Sequence, residues 1–456
     1  MKIGFLPLYI KLYDDIGINR QRLEETYCEI TKLFQKDGLT VVTSGFCRIK
    51  AEFEATVDLF EKENVDAIVT WHAAYSPSLE SIEALTKTEL PIIVLDTTPA
   101  ETFGFMQDPE EVNYNHGIHG VMDLCSMLKQ YGKQYAIAAG YYKNSDCIER
   151  VCRFVRAAAA ARKLREMKVG LVGGSFDGMG DFAVTPTEMK ERFGVTVQEL
   201  EPMVLAEAKK EVSAEAIAAE MALDESRYDF CDDVIEDEYK NYMASCLALR
   251  ACLEKEGCTA FSVNFLNIDG VGTMPFLECC KAMERGVGYA GEGDALTAAF
   301  TGALLQVYPE TGFVEIFCPD WNNQMLFLSH MGEINYRTAD GRPYICRTNS
   351  SFIKGEMPYA GYVRMKGGKG VYVNISHTQD DFQMLLAETE MVSVSKDNFP
   401  RTMRGWMRTG SLTTAQFLEA LSQNGATHHS IFVYGAEAEE LAYFGKLLNL
   451  KTIVIS

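Results

Sequence analysis

The sequence predicts an α/β protein: two α/β domains with parallel sheets, followed by a C-terminal β-rich, barrel-like domain. Three observations carry this. Short apolar runs alternate with amphipathic helical stretches in the first third, and a second such series starts at Met167. After about Phe313 the texture changes to short β-type runs joined by glycine-rich turns. At 456 residues the chain is also too long for one ordinary core.

In the first third, apolar runs at residues 3–9, 39–43, 66–71, 91–95 and 134–139 read as buried strands. Stretches 20–35 and 52–63 between them have helical periodicity. Short buried strands separated by helices imply a parallel sheet covered on both faces. Residues 150–166 read as a closing helix. The second series runs from a strand at 167–172 through a long helix at 239–256 to a strand at 259–265. The acidic residues Asp232, Asp233, Glu236, Asp237 and Glu238 read as a solvated helix face rather than a cation site. Runs at 325–329, 359–365 and 370–376 flank the turn Lys366-Gly367-Gly368-Lys369-Gly370, which is antiparallel β or barrel composition. The end returns to α/β, with helices at 413–423 and 437–449 and strands at 430–434 and 451–455, Thr413 serving as a cap. We expect domains over 1–165, 166–320 and 321–456.

Composition excludes several function classes. Lys and Arg number 43 against 64 Asp and Glu, for a formal charge of −21. Such a surface repels phosphate backbones and anionic lipid, so we expect neither nucleic acid nor membrane as a partner. No segment reaches the roughly 18–20 apolar residues of a membrane span. Met1-Lys2-Ile3-Gly4-Phe5-Leu6 reads as a strand, without the basic start, apolar core and small-residue site of a secretory leader. The 13 cysteines are odd in number, scattered and free of CxxC pairs. They read as reduced thiols, and the expected compartment is the cytoplasm.

Charged groups inside apolar strands are costly unless paired or bound to metal. Glu292 lies in Gly291-Glu292-Gly293. Glu315 lies in Gly312-Phe313-Val314-Glu315-Ile316-Phe317, and His330 closes Leu326-Phe327-Leu328-Ser329-His330. Two carboxylates and an imidazole suit a divalent ion such as Mn²⁺, Co²⁺ or Mg²⁺. A fourth ligand could come from His428 or His429, just before an apolar strand. Spacing alone does not single these residues out, because distant Glu/His sets arise by chance.

Four ordered segments carry a resemblance. They are Gly286-Val287-Gly288-Tyr289-Ala290-Gly291-Glu292-Gly293-Asp294, Thr311-Gly312-Phe313-Val314-Glu315, Leu328-Ser329-His330-Met331-Gly332-Glu333 and Gly425-Ala426-Thr427-His428-His429-Ser430-Ile431-Phe432. Together they resemble the motifs of the L-arabinose/L-fucose isomerase family, in the family's order. The resemblance implies an aldose–ketose isomerase with a divalent metal, Mn²⁺ before Co²⁺ or Mg²⁺. It implies Glu292, Glu315, His330 and His429 as ligands, with Glu292 and Glu315 also as the acid/base pair. Met179 and Phe265 match substrate-pocket residues, where ordinary core packing is the competing reading. His428 sits beside the presumed ligand on the substrate side. His119 matches a histidine that a neighbouring subunit contributes, against the plainer reading of a surface residue. A homo-oligomer follows, a hexamer built from trimers, with the site between the central and C-terminal domains. Glu292 and Glu315 are expected on one side, and His330 and His429 on the other.

The chemistry explains the set. Moving a hydrogen between C1 and C2 of a sugar needs stabilisation of an enediolate by a cation and proton transfer by carboxylates. One departure bears on the substrate. Where arabinose isomerases carry a Gln-His-Leu-Tyr-Gly type loop, this chain reads Phe5-Leu6-Pro7-Leu8-Tyr9-Ile10-Lys11. Exchanging polar contacts for apolar ones shifts specificity strongly. This argues against L-arabinose and leaves another aldose, a deoxy sugar or a substituted sugar, with an anionic sugar if Lys11 faces the pocket. Three rivals are a non-catalytic metal- and sugar-binding protein, an epimerase using the same residues, and a dinucleotide enzyme. The last rests on Gly178-Met179-Gly180-Asp181-Phe182-Ala183, which begins several residues after its strand and lacks a Walker lysine.

Overall fold

The computed structural model describes residues 1–268, 271–348, 356–379 and 381–456. The chain divides into two compact units, Met1–Arg162 and Lys163–Ser456.

The first unit is one parallel sheet of β1 (Lys2–Leu8), β2 (Thr40–Thr43), β3 (Ala67–His72), β4 (Ile92–Asp96) and β5 (Tyr135–Ala139), in the order β2-β1-β3-β4-β5. Every residue of β3 is buried, as a central strand covered by helices on both faces must be. Helix Gln21–Lys36 buries Leu23, Tyr27, Ile30 and Phe34, a spacing that puts all four on one face. On one side of the sheet, Phe53, Val57 and Phe60 share a core with Ile82, Leu85, Leu124 and Leu128. Strand order reverses between β1 and β3, and open sheets of this kind bind ligands beyond the carboxyl ends at such a reversal. Tyr9, Trp71 and His72 lie there, all buried.

The second unit opens with β6 (Lys168–Val172), β7 (Thr196–Leu200), β8 (Asp229–Phe230), β9 (Ala260–Val263) and β10 (Gly288–Gly291). Four of them form a parallel sheet ordered β10-β9-β6-β7. Next come β11 (Thr311–Asp320), β12 (Met325–Ser329), β13 (Ala339–Arg347), β14 (Tyr359–Met365), β15 (Gly368–His377), β16 (Phe382–Met391), β17 (Gly405–Arg408), β18 (His429–Tyr434) and β19 (Lys451–Val454). Pairing runs β15-β18-β11-β12-β17-β16, and β16 pairs back onto β15, closing a six-stranded antiparallel barrel with β19 added in parallel beside β16. The predicted terminal α/β element is thus woven into the barrel sheet. β13, β14 and β8 make a small separate sheet. Helix Ala295–Leu305 is apolar all round and wholly buried, as such helices must be.

One expectation is corrected. The cysteines are not all free thiols: Cys231 and Cys346 form a disulfide between segments 115 residues apart in sequence. The parallel pairing of β8 with β13 brings them together, and no sequence spacing could signal that. Among the described residues, no helix is long and apolar enough to cross a membrane.

Candidate metal centre

Glu292 follows β10 directly and takes a left-handed backbone, φ 63°, which non-glycine residues adopt only when held there. Its neighbours show what holds it. A Cβ on Gly291 would lie 2.6 Å from the His330 ring, and one on Gly293 would lie 2.3 Å from the Gly174 carbonyl oxygen. The glycines let two segments close on the carboxylate. The Phe176 N–H donates to the Glu292 carbonyl at 3.0 Å, and Ser175 Oγ donates to that of Gly293 at 3.0 Å.

Glu315 projects from β11. Antiparallel registers set it opposite His429 of β18 and Ser329 of β12, and His330 follows Ser329. Three of the four predicted residues therefore come from adjoining barrel strands, and Glu292 alone from the parallel sheet. This differs from the expected two-and-two division, because β11 is a barrel strand.

The imidazoles are aimed by buried carboxylates. His330 Nδ1 donates to Glu333 Oε2 at 2.8 Å, and His429 Nδ1 donates to Asp294 Oδ2 at 3.0 Å. Asp294 also caps helix Ala295–Leu305, accepting from the Thr297 N–H at 2.8 Å. Glu333 is held in turn by the Tyr289 hydroxyl at 2.7 Å and the Gly332 N–H at 2.8 Å. With Nδ1 occupied on both rings, both Nε2 atoms turn to the acidic side. His429 Nε2 lies 3.4 Å from Glu292 Oε2, and His330 Nε2 lies 3.9 Å from Glu315 Oε2. His429 Nε2 is buried and has no hydrogen-bond partner among the described residues. Glu292, His330 and His429 bring ligand atoms within 4.8 Å of one another. Imidazoles oriented by carboxylates, with their other nitrogen turned toward glutamates, are the donor set a divalent cation takes. The residues present fit the metal.

Aromatic rings wall the site. Phe182 stacks on His429 at 4.8 Å and 7°. Phe313 stands edge-on to both His330 and His429 at 4.9 Å. Burial works to raise the Glu292 carboxyl, but His428 and His429 beside it outweigh that and hold it at about 2. Glu315 is pushed up, because burial outweighs the pull of His330 and His429. One carboxylate is thus kept charged while the other is made more basic. His428 Nδ1 donates to Asp181 Oδ2 at 2.7 Å, and its Nε2 faces Glu292 at 3.6 Å. Those two carboxylates raise its pKa to about 10.

Phe265 is buried and its ring meets Phe176 at 5.5 Å. Met179 is half-buried, its N–H bonded to the Phe176 carbonyl. Both thus belong to the surroundings of the 173–181 loop. His119 lies in the Met1–Arg162 unit, exposed, hydrogen-bonded to His116 at 2.7 Å and against Tyr75. Sequence reasoning missed Asp181, Phe182, Asp294 and Glu333. Asp294 and Glu333 stood inside the quoted motifs, two residues after Glu292 and three after His330. A search for a carboxylate to orient each ligand histidine would have found them.

Similarity to known proteins places the chain in a family. A family model of the L-arabinose isomerase N-terminal domain matches residues 23–166, one of the central domain 171–308, and one of the C-terminal domain 310–451. An L-arabinose isomerase of Bacillus subtilis (strain 168) is 26% identical over 411 residues, 86% of this chain and 82% of that protein. Another, of Shouchella clausii (strain KSM-K16), is 25% identical over 465 residues, 99% of this chain and 93% of that protein. With three domain models matched in order around a buried Glu–His–His cluster, the chain belongs to the L-arabinose isomerase family and is a metal-dependent isomerase.

Proposed function

We propose that this isomerase interconverts an aldose and its ketose by an enediol route, with Glu292, Glu315, His330 and His429 holding the cation and the two glutamates moving protons. The observation that carries the reading is the turning of both Nε2 atoms toward glutamates by Asp294 and Glu333. When bound, a divalent cation polarises the sugar oxygens and acidifies the carbon-bound hydrogen. Mn²⁺ suits the mixed nitrogen and oxygen donors, with Co²⁺ and Mg²⁺ next.

The chain's own groups supply the rest. Glu315, pushed up by burial, is the better of the two to take a proton from carbon and return it. Glu292, kept ionised, steadies positive charge and relays a proton between the sugar oxygens. His428, gripped by Asp181, offers an N–H to a sugar hydroxyl. Phe182 and Phe313 keep water from competing.

A sugar other than L-arabinose is favoured by the departure at Tyr9-Ile10-Lys11, just past β1, where the family's loop is polar. Site completion by His119 of a neighbouring copy, in a homo-oligomer, and a cytoplasmic location complete the proposal. A panel of aldoses, including deoxy and acidic sugars, incubated with Mn²⁺ and scored for ketose, tests it. Ketose from one or more of them is expected; Mn²⁺ binding with no turnover of any sugar would remove the catalytic reading.

A further inference from the structure

Away from the Glu292 site, Cys231, Asp233 and Cys346 form the other group of potential ligand atoms within 4.8 Å of one another among the described residues. The fold builds this closeness. Parallel pairing of β8 with β13 runs Asp229↔Tyr344 and Phe230↔Ile345, and the Cys231 N–H donates to the Ile345 carbonyl at 2.9 Å. One step further along the ladder sets Cys231 beside Cys346, with Cα atoms 5.1 Å apart and the sulfurs bonded.

The surroundings of the two sulfurs are unequal. Arg401 is anchored on Asp233, Nη1 to Oδ2 at 2.7 Å, and its Nη2 lies 3.7 Å from Cys231 Sγ. An arginine beside a sulfur favours the thiolate whenever the bond is open, since the guanidinium keeps its charge at any working pH. It also sits on Asp233, the carboxylate that a cation would need. Among the described residues no arginine hydrogen-bonds the Cys346 sulfur, and Cys346 is wholly buried, whereas Cys231 is 7% exposed.

We propose that Cys231 and Cys346 are a reversible dithiol–disulfide pair in which Cys231, set against Arg401, exchanges with low-molecular-weight disulfides. From the reduced state, the Cys231 thiolate attacks one sulfur of a small disulfide and expels a small thiolate, leaving a mixed disulfide. Cys346, its proton passed to solvent, then attacks Cys231 Sγ and expels the second small thiolate. Two protein thiols are oxidised and one small disulfide is reduced to two thiols; excess small thiol reverses the sequence. In a compartment kept reducing, the dithiol is the resting form and the bridge marks oxidising conditions. The bridge ties the segment entering helix Glu236–Glu256 to β13.

The test uses the full-length protein equilibrated with mixtures of reduced and oxidised glutathione. Alkylation and mass spectrometry should count two fewer reactive thiols under oxidising than under reducing conditions, with the melting temperature higher in the oxidised form. After reduction, Cys346→Ser should trap glutathione on Cys231, whereas Cys231→Ser should trap none on Cys346. Arg401→Gln should slow trapping roughly tenfold. Limiting iodoacetamide on reduced wild-type protein should label Cys231 before Cys346, a measurement independent of any variant. Equal trapping in the two serine variants, first labelling at Cys346, or no bridge at any glutathione ratio would overturn the proposal. So would one equivalent of zinc held by the reduced protein and lost in Cys231→Ser, which would make the group a metal site.

Discussion

Glu333, wholly inside the protein, accepts the Nδ1 proton of His330 at 2.8 Å and so decides which ring nitrogen faces Glu315. Four groups meet at its carboxylate and the adjoining ring: His330, Tyr289, the Gly332 N–H and, across the ring, Glu315. The candidate site is therefore sensitive to a residue that stands behind the His330 ring.

Glu333→Gln keeps an acceptor but removes the charge that fixes the ring. Metal affinity should fall roughly 10- to 100-fold, with the fold intact by circular dichroism. Titration with Mn²⁺ monitored by electron paramagnetic resonance checks this, and wild-type affinity would show that Glu333 serves packing alone.

Glu315→Gln should lower kcat by a factor on the order of 10²–10⁴, because the more basic carboxylate is replaced by an amide that cannot carry a proton. Glu292→Gln should cost as much, and both substitutions should weaken metal binding. Solvent-hydrogen exchange at C2 of the sugar, followed by NMR in D₂O, separates the roles. Exchange that survives in Glu315→Gln would move the carbon-directed base elsewhere.

His72 supplies a pH prediction for the first unit. It is buried, neither ring nitrogen has a hydrogen-bond partner among the described residues, and burial presses its pKa from 6.5 down to about 3. The unfolded chain takes up a proton near 6.5 that the folded chain refuses until about 3. Its contribution is therefore intact above pH 6.5 and erodes as pH falls toward 3, by at most about 1.4 kcal/mol per pH unit. Urea unfolding at pH 7 and pH 5 should reveal a shallower pH slope in His72→Gln. An identical slope in both proteins would assign acid sensitivity to other groups.

Lys281 anchors a buried charge network in the second unit. Its ammonium meets Glu220 at 2.9 Å and also Asp224, while Arg250 joins Glu220 at 2.8 Å and Glu278 at 2.7 Å. Lys281→Met leaves Asp224 buried without a cation and should cost about 3–5 kcal/mol. Burial already raises the Asp224 pKa, so the loss should shrink as pH falls and the carboxyl takes up a proton. Denaturant melts across pH 5–8 measure both effects, and a loss that does not vary with pH would contradict the account.

The alternation of strands and helices in the first unit was legible because each apolar run is short and flanked by helical periodicity. All five strands lie within a residue or two of the runs at 3–9, 39–43, 66–71, 91–95 and 134–139. The barrel was legible as composition but not as pairing. β16, Phe-Gln-Met-Leu-Leu-Ala-Glu-Thr-Glu-Met, is rich in good helix formers, and its strand state comes from partners on both sides rather than from propensity. β13 hides behind Gly341-Arg342-Pro343. The residues Glu292, His330 and His429 could be named from motifs, but their aim could not. Asp294 and Glu333 act through distances that only the folded ladder sets, and the Cys231–Cys346 bond depends on the same kind of long-range register.

The barrel's closure gives the candidate site an indexing device. Glu315 is locked between β18 and β12, both of which belong to a ring with no free edge along which either could slide. Because side chains alternate, adding one residue within β11 would turn Glu315 to the opposite face, and adding two would restore the face but carry it about 7 Å along the strand. On the β12 side a bulge between Ile316 and Cys318 already takes up one residue after Glu315, whereas the Thr311–Glu315 register with β18 runs without a break. The hairpin tip at 321–324 carries no such count and is held by side chains instead, Gln324 accepting from the Thr414 N–H at 2.8 Å, so a change of length there costs a hydrogen bond, whereas a change between Thr311 and Glu315 moves the carboxylate itself.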